Sequence, residues 1–267
     1  MKESYQAMNK KMNENHKIEA RFFRGDVGAP GLDWIHLSNP LVSPYEQLCS
    51  IKIKNGATAY SHRGSGMLLT PTLVLTAAHV VDLGQSRAYM EEFTVLDAAG
   101  LYVVRGLNRE KKLGSSMLLK VILFNSHSEP GQDGDLAIAL LKTAQNNSNA
   151  LAPKLMRENG KYNAQVAGYP YYDDVRANGN NIMVGRGEGL PCDFDSDGLY
   201  YQIDTWDGHS GAPVFLEQGE ERMLSWIGVH VADHFTTGKD VNKGLRFTQE
   251  YLEWMKNVIL RFGQGEQ

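Results

Sequence analysis

Short apolar or alternating runs recur along most of the chain, separated by clusters of Gly, Asn, Asp, Pro and Ser. They include 49–53 (CSIKI), 66–70 (GMLLT), 73–77 (LVLTA), 93–96 (FTVL), 101–104 (LYVV), 118–124 (LLKVILF) and 136–141 (LAIALL). A second series covers 164–169, 182–185, 199–203, 212–216, 226–232 and 244–248. Many short strands with regular turn signals predict an all-β sandwich or barrel. One segment follows a different period. Tyr251, Trp254, Met255, Val258, Ile259 and Phe262 fall at i, i+3, i+4, i+7, i+8 and i+11, one apolar face of a helix. A helix over 249–262 is therefore expected, with that face packed on the β-structure.

Composition narrows the reading. The 267 residues are 42% hydrophobic and 22% charged, which fits one large domain or two small ones with a core that needs no staples. No apolar run approaches the length of a membrane span. A formal net charge of -4 lacks the basic footprint of a general nucleic-acid binder. With only two cysteines, Cys49 and Cys192, a disulfide-dense scaffold is excluded. Unpaired thiols and a single bridge both fit them. The first 26 residues are polar and charged with no apolar h-region, so no secretory signal peptide is expected within them. A solvated tail, a propeptide and a docking helix all fit, and the compartment stays open.

Three motifs carry candidate chemistry. Residues 74–81 (VLTAAHVV) deliver His79 after a β-rich run and two small residues, which let the backbone turn and leave the imidazole approachable. Residues 134–140 (GDLAIAL) place Asp135 at the mouth of an apolar strand, where a partly buried carboxylate must find a donor. An imidazole N–H would serve. Residues 205–214 (TWDGHSGAPV) flank Ser210 with Gly208 and Gly211, whose conformational freedom can turn backbone N–H groups toward a developing oxyanion. This is not the Gly-x-Ser-x-Gly elbow of α/β-hydrolases, because Ala212 holds the last position and the alternating helices are missing.

The order His, Asp, Ser is that of chymotrypsin-like enzymes. TAAH, GDLAI and GHSGAP resemble the three catalytic blocks of chymotrypsin-like serine peptidases, and the finer likeness is to the glutamyl-endopeptidase branch that includes the exfoliative toxins. Residues 63–69 (RGSGMLL), 201–205 (YQIDT), 228–230 (GVH) and 242–246 (NKGLR) complete a pattern that covers roughly 50–260. The resemblance implies a double six-stranded β-barrel, approximately 46–145 and 146–248, closed by the helix 249–262, with residues 1–45 as an N-terminal extension. It implies a serine endopeptidase in which Ser210 is the nucleophile, His79 the general base and Asp135 its orienting partner. The N–H groups of Gly208 and Ser210 would form the oxyanion hole. No cofactor is implied, the partner would be a protein or peptide substrate, and a monomer is expected. The resemblance implies a place outside the cell, while the residues themselves leave the compartment open.

In the glutamyl branch, a threonine shortly before the nucleophile and a histidine on the following strand contact the acidic side chain at P1, the residue before the scissile bond. Thr205 and His230 match those positions, and both side chains can donate to a carboxylate. The resemblance thus implies glutamate at P1. Other P1 preferences, and an idle barrel that only binds protein, are the alternatives. His209 stands where trypsin-like relatives carry the aspartate that pairs with a new N-terminus, so activation by that route is not expected. Asp193, Asp195 and Asp197 resemble the start of an EF-hand loop, but flanking helices are not predicted. An acidic turn between strands is the expectation there, with calcium as the alternative. His230 and His234 have a zinc-like spacing only on a helix, whereas 226–232 reads as a strand, so no metal is expected.

Overall fold

The computed structural model describes residues 35–36, 42–55, 59–90, 93–98, 100–107, 111–124, 134–146, 151–156, 160–171, 181–190, 197–219, 222–236 and 239–263. Fifteen strands, two α-helices and a one-turn 3-10 helix (Tyr45–Gln47) are found among them. The strands are β1 (Ile35–His36), β2 (Leu48–Asn55), β3 (Ala59–Thr70), β4 (Leu73–Thr76), β5 (Arg87–Met90), β6 (Phe93–Asp97), β7 (Leu101–Arg105), β8 (Gly114–Leu123) and β9 (Ala137–Leu141) in the first half. The second half holds β10 (Tyr162–Gly168), β11 (Met183–Gly189), β12 (Gly198–Gln202), β13 (Pro213–Gln218), β14 (Met223–Thr236) and β15 (Lys239–Arg246). A short helix α1 (Ala78–Val81) follows β4, and α2 (Gln249–Phe262) ends the described chain.

All ladders between these strands are antiparallel. In the N-terminal sheet, β8-β7-β2-β3-β4-β9 closes into a six-stranded barrel because β8 also pairs with β9. In the C-terminal sheet, β11-β10-β13-β14-β15-β12 closes in the same way through β11–β12. Closure removes the free edges that an open sheet would present. β5 and β6 extend the first barrel from β8, and β1 adds to β11 of the second. Ile35 and His36 lie within the expected extension, and the rest of that extension up to residue 41 lies outside the described residues.

Burial follows the barrel geometry. β4 (LVLT) and β9 (AIALL) are buried at every position. A strand reads this way only if both of its faces are covered. Barrel side chains cover one face of β9, and α2 packs near the other. Tyr251, Met255 and Val258 form the buried stripe of α2, as its periodicity predicts. Phe124 meets the rings of Tyr251 and Trp254 edge-on, and Phe93 meets Phe262 likewise. The C-terminal helix thus seals the N-terminal barrel. Thr248 caps it by accepting from Tyr251 N–H, and each buried aliphatic side chain contributes about 1.5–3 kcal/mol. The second barrel has its own cluster, built on Val166, Leu199, Tyr201, Val214 and Ile227.

Candidate active site

β4 runs into α1, which turns His79 back toward the start of β9. Asp135 is fully buried there and binds His79 twice. Its Oδ1 accepts from the His79 backbone N–H at 2.9 Å, and its Oδ2 from the imidazole Nδ1 at 2.6 Å. A carboxylate only accepts, so Nδ1 carries the proton and Nε2 presents its lone pair. Tyr251 braces the turn from α2. Its hydroxyl accepts from Gly134 N–H at 3.0 Å and donates to Asp197 Oδ2 at 2.5 Å. The side chain of His79 keeps 17% exposure.

The loop carrying Ser210 is seated against that same corner by backbone contacts. Ser210 O accepts from Ser65 N–H at 2.8 Å. Gly64 lies between this carbonyl and Val80, the neighbour of His79, with no room for a side chain. Gly211 has φ +85, and a Cβ there would overlap Ser65 O and Thr76 Oγ1. Gly208 has φ +92, and a Cβ would lie 2.6 Å from His62 Nε2 and 2.7 Å from Tyr169 O. These two positions admit glycine alone, for reasons of both torsion and space.

The backbone polar groups of this loop can be followed one by one. The carbonyls of Trp206, Asp207, Gly208, His209 and Ser210 accept from His209 N, Tyr171 N, Ser65 Oγ, Ala212 N and Ser65 N respectively. Trp206 N–H donates to His209 Nδ1, and Gly211 N–H to His230 O. Among the described residues, no group accepts from the N–H of Gly208 or Ser210. Peptide units are trans here, so a carbonyl tied on one side aims the following N–H to the other.

A family model described as a trypsin-like peptidase domain matches residues 64–222, more than half of the chain. The chain belongs to the trypsin-like peptidase family. No curated protein sequence matches it. The solved structure of a Glu endopeptidase in complex with MPD is similar, with 22% identity and a TM-score of 0.65 over 87% of this chain and 98% of that one. The double-barrel fold of this trypsin-like peptidase is thus shared with that enzyme.

Behind Ser210, the trypsin-like peptidase buries two further histidines, and a third, His62, is half-buried. His230 on β14 is 3% exposed, and its Nδ1 is bonded to Tyr201 Oη at 2.7 Å. Burial, with some help from a charge on His79, pushes its pKa down to about 3. His209 is fully buried between the rings of Trp206 and His230, and burial holds its pKa well below the usual value. His62 on β3 donates from Nε2 to Tyr169 O at 2.6 Å and accepts at Nδ1 from Ser50 Oγ at 3.0 Å. Burial pushes it down to about 4, against the opposing pull of the Tyr169 carbonyl. All three are therefore neutral near pH 7.

Thr205 is half-buried at the start of the loop that carries Ser210. Asp204 beside it is buried, and burial raises its pKa. Asp193, Asp195 and Cys192 lie outside the described residues. Asp197 is described, and its carboxylate is engaged by Tyr251. Cys49 is a buried free thiol, which burial pushes up to about 12. The sequence pattern assigns no role to His62 or Ser65. Ser65 lies inside a block that carries the family likeness, but His62 has no such signal. Both sit in the polar half of β3, which no apolar run marks.

Proposed function

We propose that this chain cuts peptide bonds through Ser210, His79 and Asp135. The observation that carries the reading is the doubly bonded Asp135–His79 pair, which leaves Nε2 as the base, set at the corner that seats Ser210. Ser210 Oγ attacks the scissile carbonyl carbon while His79 Nε2 takes its proton. The tetrahedral oxyanion is stabilised by the N–H groups of Gly208 and Ser210, each worth about 3 kcal/mol in such a site. Collapse breaks the C–N bond as His79 returns the proton to the leaving amine, giving an acyl-enzyme. Water, deprotonated by the same imidazole, releases the acid. No metal or organic group is required for these steps.

Glutamate is the proposed P1 residue, with Thr205 and His230 contacting its carboxylate. The Tyr201–His230 bond supports this. When Tyr201 Oη donates to Nδ1, the neutral ring carries its proton on Nε2, the only remaining nitrogen with which it can donate to an anion. A buried site that hydrogen-bonds a substrate group discriminates strongly against analogues lacking it. The similar Glu endopeptidase points the same way.

The test is cleavage-site mapping on a mixed peptide pool, with Ser210→Ala beside the wild type. Cuts after Glu that disappear in the variant are expected. Serine-dependent cuts after other residues would keep the mechanism and remove the role of Thr205 and His230. No cleavage and no labelling by a fluorophosphonate would leave a barrel that binds without cutting.

A further inference from the structure

From the hydrogen bonds around the nucleophile loop, we infer that the Ser65 hydroxyl is the positioning device that holds the oxyanion hole in its working geometry. This rests on the serine-peptidase reading above. Ser65 is fully buried on β3 of the N-terminal barrel, whereas the loop it holds belongs to the C-terminal barrel. Its Oγ donates to Gly208 O at 2.7 Å and accepts from Tyr169 N–H at 2.8 Å. Its backbone N–H donates to Ser210 O at 2.8 Å. One residue therefore grips the carbonyls of both proposed oxyanion donors.

The grip on Gly208 works from two sides. A residue at φ +92 has torsions that glycine leaves soft, so its peptide planes must be fixed from outside. Ser65 Oγ fixes the plane after Gly208. The plane before it is fixed by Tyr171 N–H, which donates to Asp207 O at 2.5 Å and so aims Gly208 N–H to the opposite side. Tyr171 is itself held through Tyr169, two residues earlier. The N–H of Tyr169 is bound by Ser65 Oγ and its C=O by His62 Nε2. Ser65 thus controls one plane directly and the other through the 169–171 segment. His62 is the strut behind that segment. Because the hydroxyl crosses between barrels, the hole is complete only when the two barrels are docked.

A control of the same chemistry exists within the chain. Ser116 on β8 is 4% exposed, and its Oγ also donates to one carbonyl (Met117 O, 2.9 Å) and accepts from one amide (Thr143 N, 2.8 Å). Ser65→Ala unpairs Gly208 O and Tyr169 N–H, whereas in Ser116→Ala the Met117 carbonyl keeps Lys142 N–H and only the N–H of exposed Thr143 loses its partner, so Ser116→Ala is expected to cost less stability. Only Ser65→Ala should disturb the hole. Oxyanion donors bind the tetrahedral state more strongly than the ground-state carbonyl, so their loss falls on kcat and not on KM.

The experiment uses the full chain and a peptide from the cleavage map. Fluorophosphonate labelling of the wild type, lost in Ser210→Ala, first checks the underlying reading. Ser65→Ala is expected to lower kcat by about 10- to 100-fold with KM within about twofold, and to weaken a peptide boronate by a similar factor. Ser116→Ala is expected to keep both at wild-type levels. If Ser65→Ala does not fold, Ser65→Cys keeps a slightly larger side chain in the same place while replacing a strong donor with a weak one, and is read in the same way. Equal kcat and boronate affinity in the Ser65 and Ser116 variants would overturn the inference while the labelling result stands. A wild type that does not react at Ser210 would overturn the reading and the inference together.

Discussion

Asp135 holds His79 by two bonds at once, one to the backbone N–H at 2.9 Å and one to Nδ1 at 2.6 Å. The first fixes where α1 starts, and the second fixes which ring nitrogen carries the proton. Orientation and tautomer are therefore set by one fully buried carboxylate.

Asp135→Asn separates these two effects. The amide oxygen can still accept from His79 N–H, but its NH2 now faces Nδ1 and forces the proton onto Nε2. On the proposed mechanism the base is lost while the fold is kept. A fall in kcat of about 10³–10⁴ at neutral pH, with KM within a few fold, is expected from steady-state kinetics. A loss below about tenfold would show that the carboxylate does not set the tautomer.

Gly211→Ala combines torsional strain with overlap, whereas Gly84→Ala has strain alone. Gly84 has φ +75 and open space within 4 Å of the place a Cβ would take, while Gly211 at φ +85 faces Ser65 O and Thr76 Oγ1. Urea unfolding should show about 1 kcal/mol lost at Gly84 and at least about 3 kcal/mol at Gly211. Fluorophosphonate labelling should vanish only in the second. Equal losses would mean that the loop carrying Ser210 can move away from β3 at little cost.

Tyr201→Phe removes the hydroxyl from His230 Nδ1 while keeping the ring in the second core. If His230 serves a substrate carboxylate, its tautomer is then no longer fixed. The ratio of kcat/KM for Glu over Gln at P1 should fall by about fivefold to tenfold, in line with a net hydrogen bond of about 1–1.5 kcal/mol. An unchanged ratio would separate Tyr201 from specificity.

Acid should destabilise the protein before its exposed carboxylates titrate. The folded-state pKa values of His62 and His230 are depressed to about 4 and about 3, while the unfolded chain binds those protons near 6.5. Below about pH 6.5 the unfolded state therefore holds more protons, and stability falls as pH falls. The slope approaches about 1.4 kcal/mol per pH unit for each histidine, and flattens as pH passes the folded value. His209 adds to the effect in the same direction. Urea midpoints at pH 7.5, 6 and 5 give the profile, and a flat line would mean that these rings are charged or solvated in the folded state.

Where the sequence is readable, one physical signal dominates each segment. The stripe at 251, 254, 255, 258, 259 and 262 marks α2 because a helix packed on one side repeats its apolar face with a fixed period. The apolar runs mark β4 and β9 because barrel interiors demand them. β5 carries no such mark because Arg87–Met90 lies beyond the closed ring and is mostly exposed, with Tyr89 at 72%. The first half of β3 carries none because its residues, Ala59–Ser65, are mostly polar. His62 and Ser65 are ordinary surface-type residues in composition, and partners from distant segments make their placement tolerable, whereas His209 is bonded to Trp206 three residues away.

The sequence by itself determined that the chain is rich in short strands, that an amphipathic helix ends it, and that a histidine, an aspartate and a glycine-flanked serine follow in that order. Those features are local: periodicity, turn chemistry and motif spacing are written in neighbouring residues. The tertiary structure alone decided which groups satisfy one another. Ser65 reaches Gly208 across 143 positions, and His62 reaches Tyr169 across 107. A buried polar group must be paired, but nothing near it in the chain names its partner, which closure and docking of the two barrels supply.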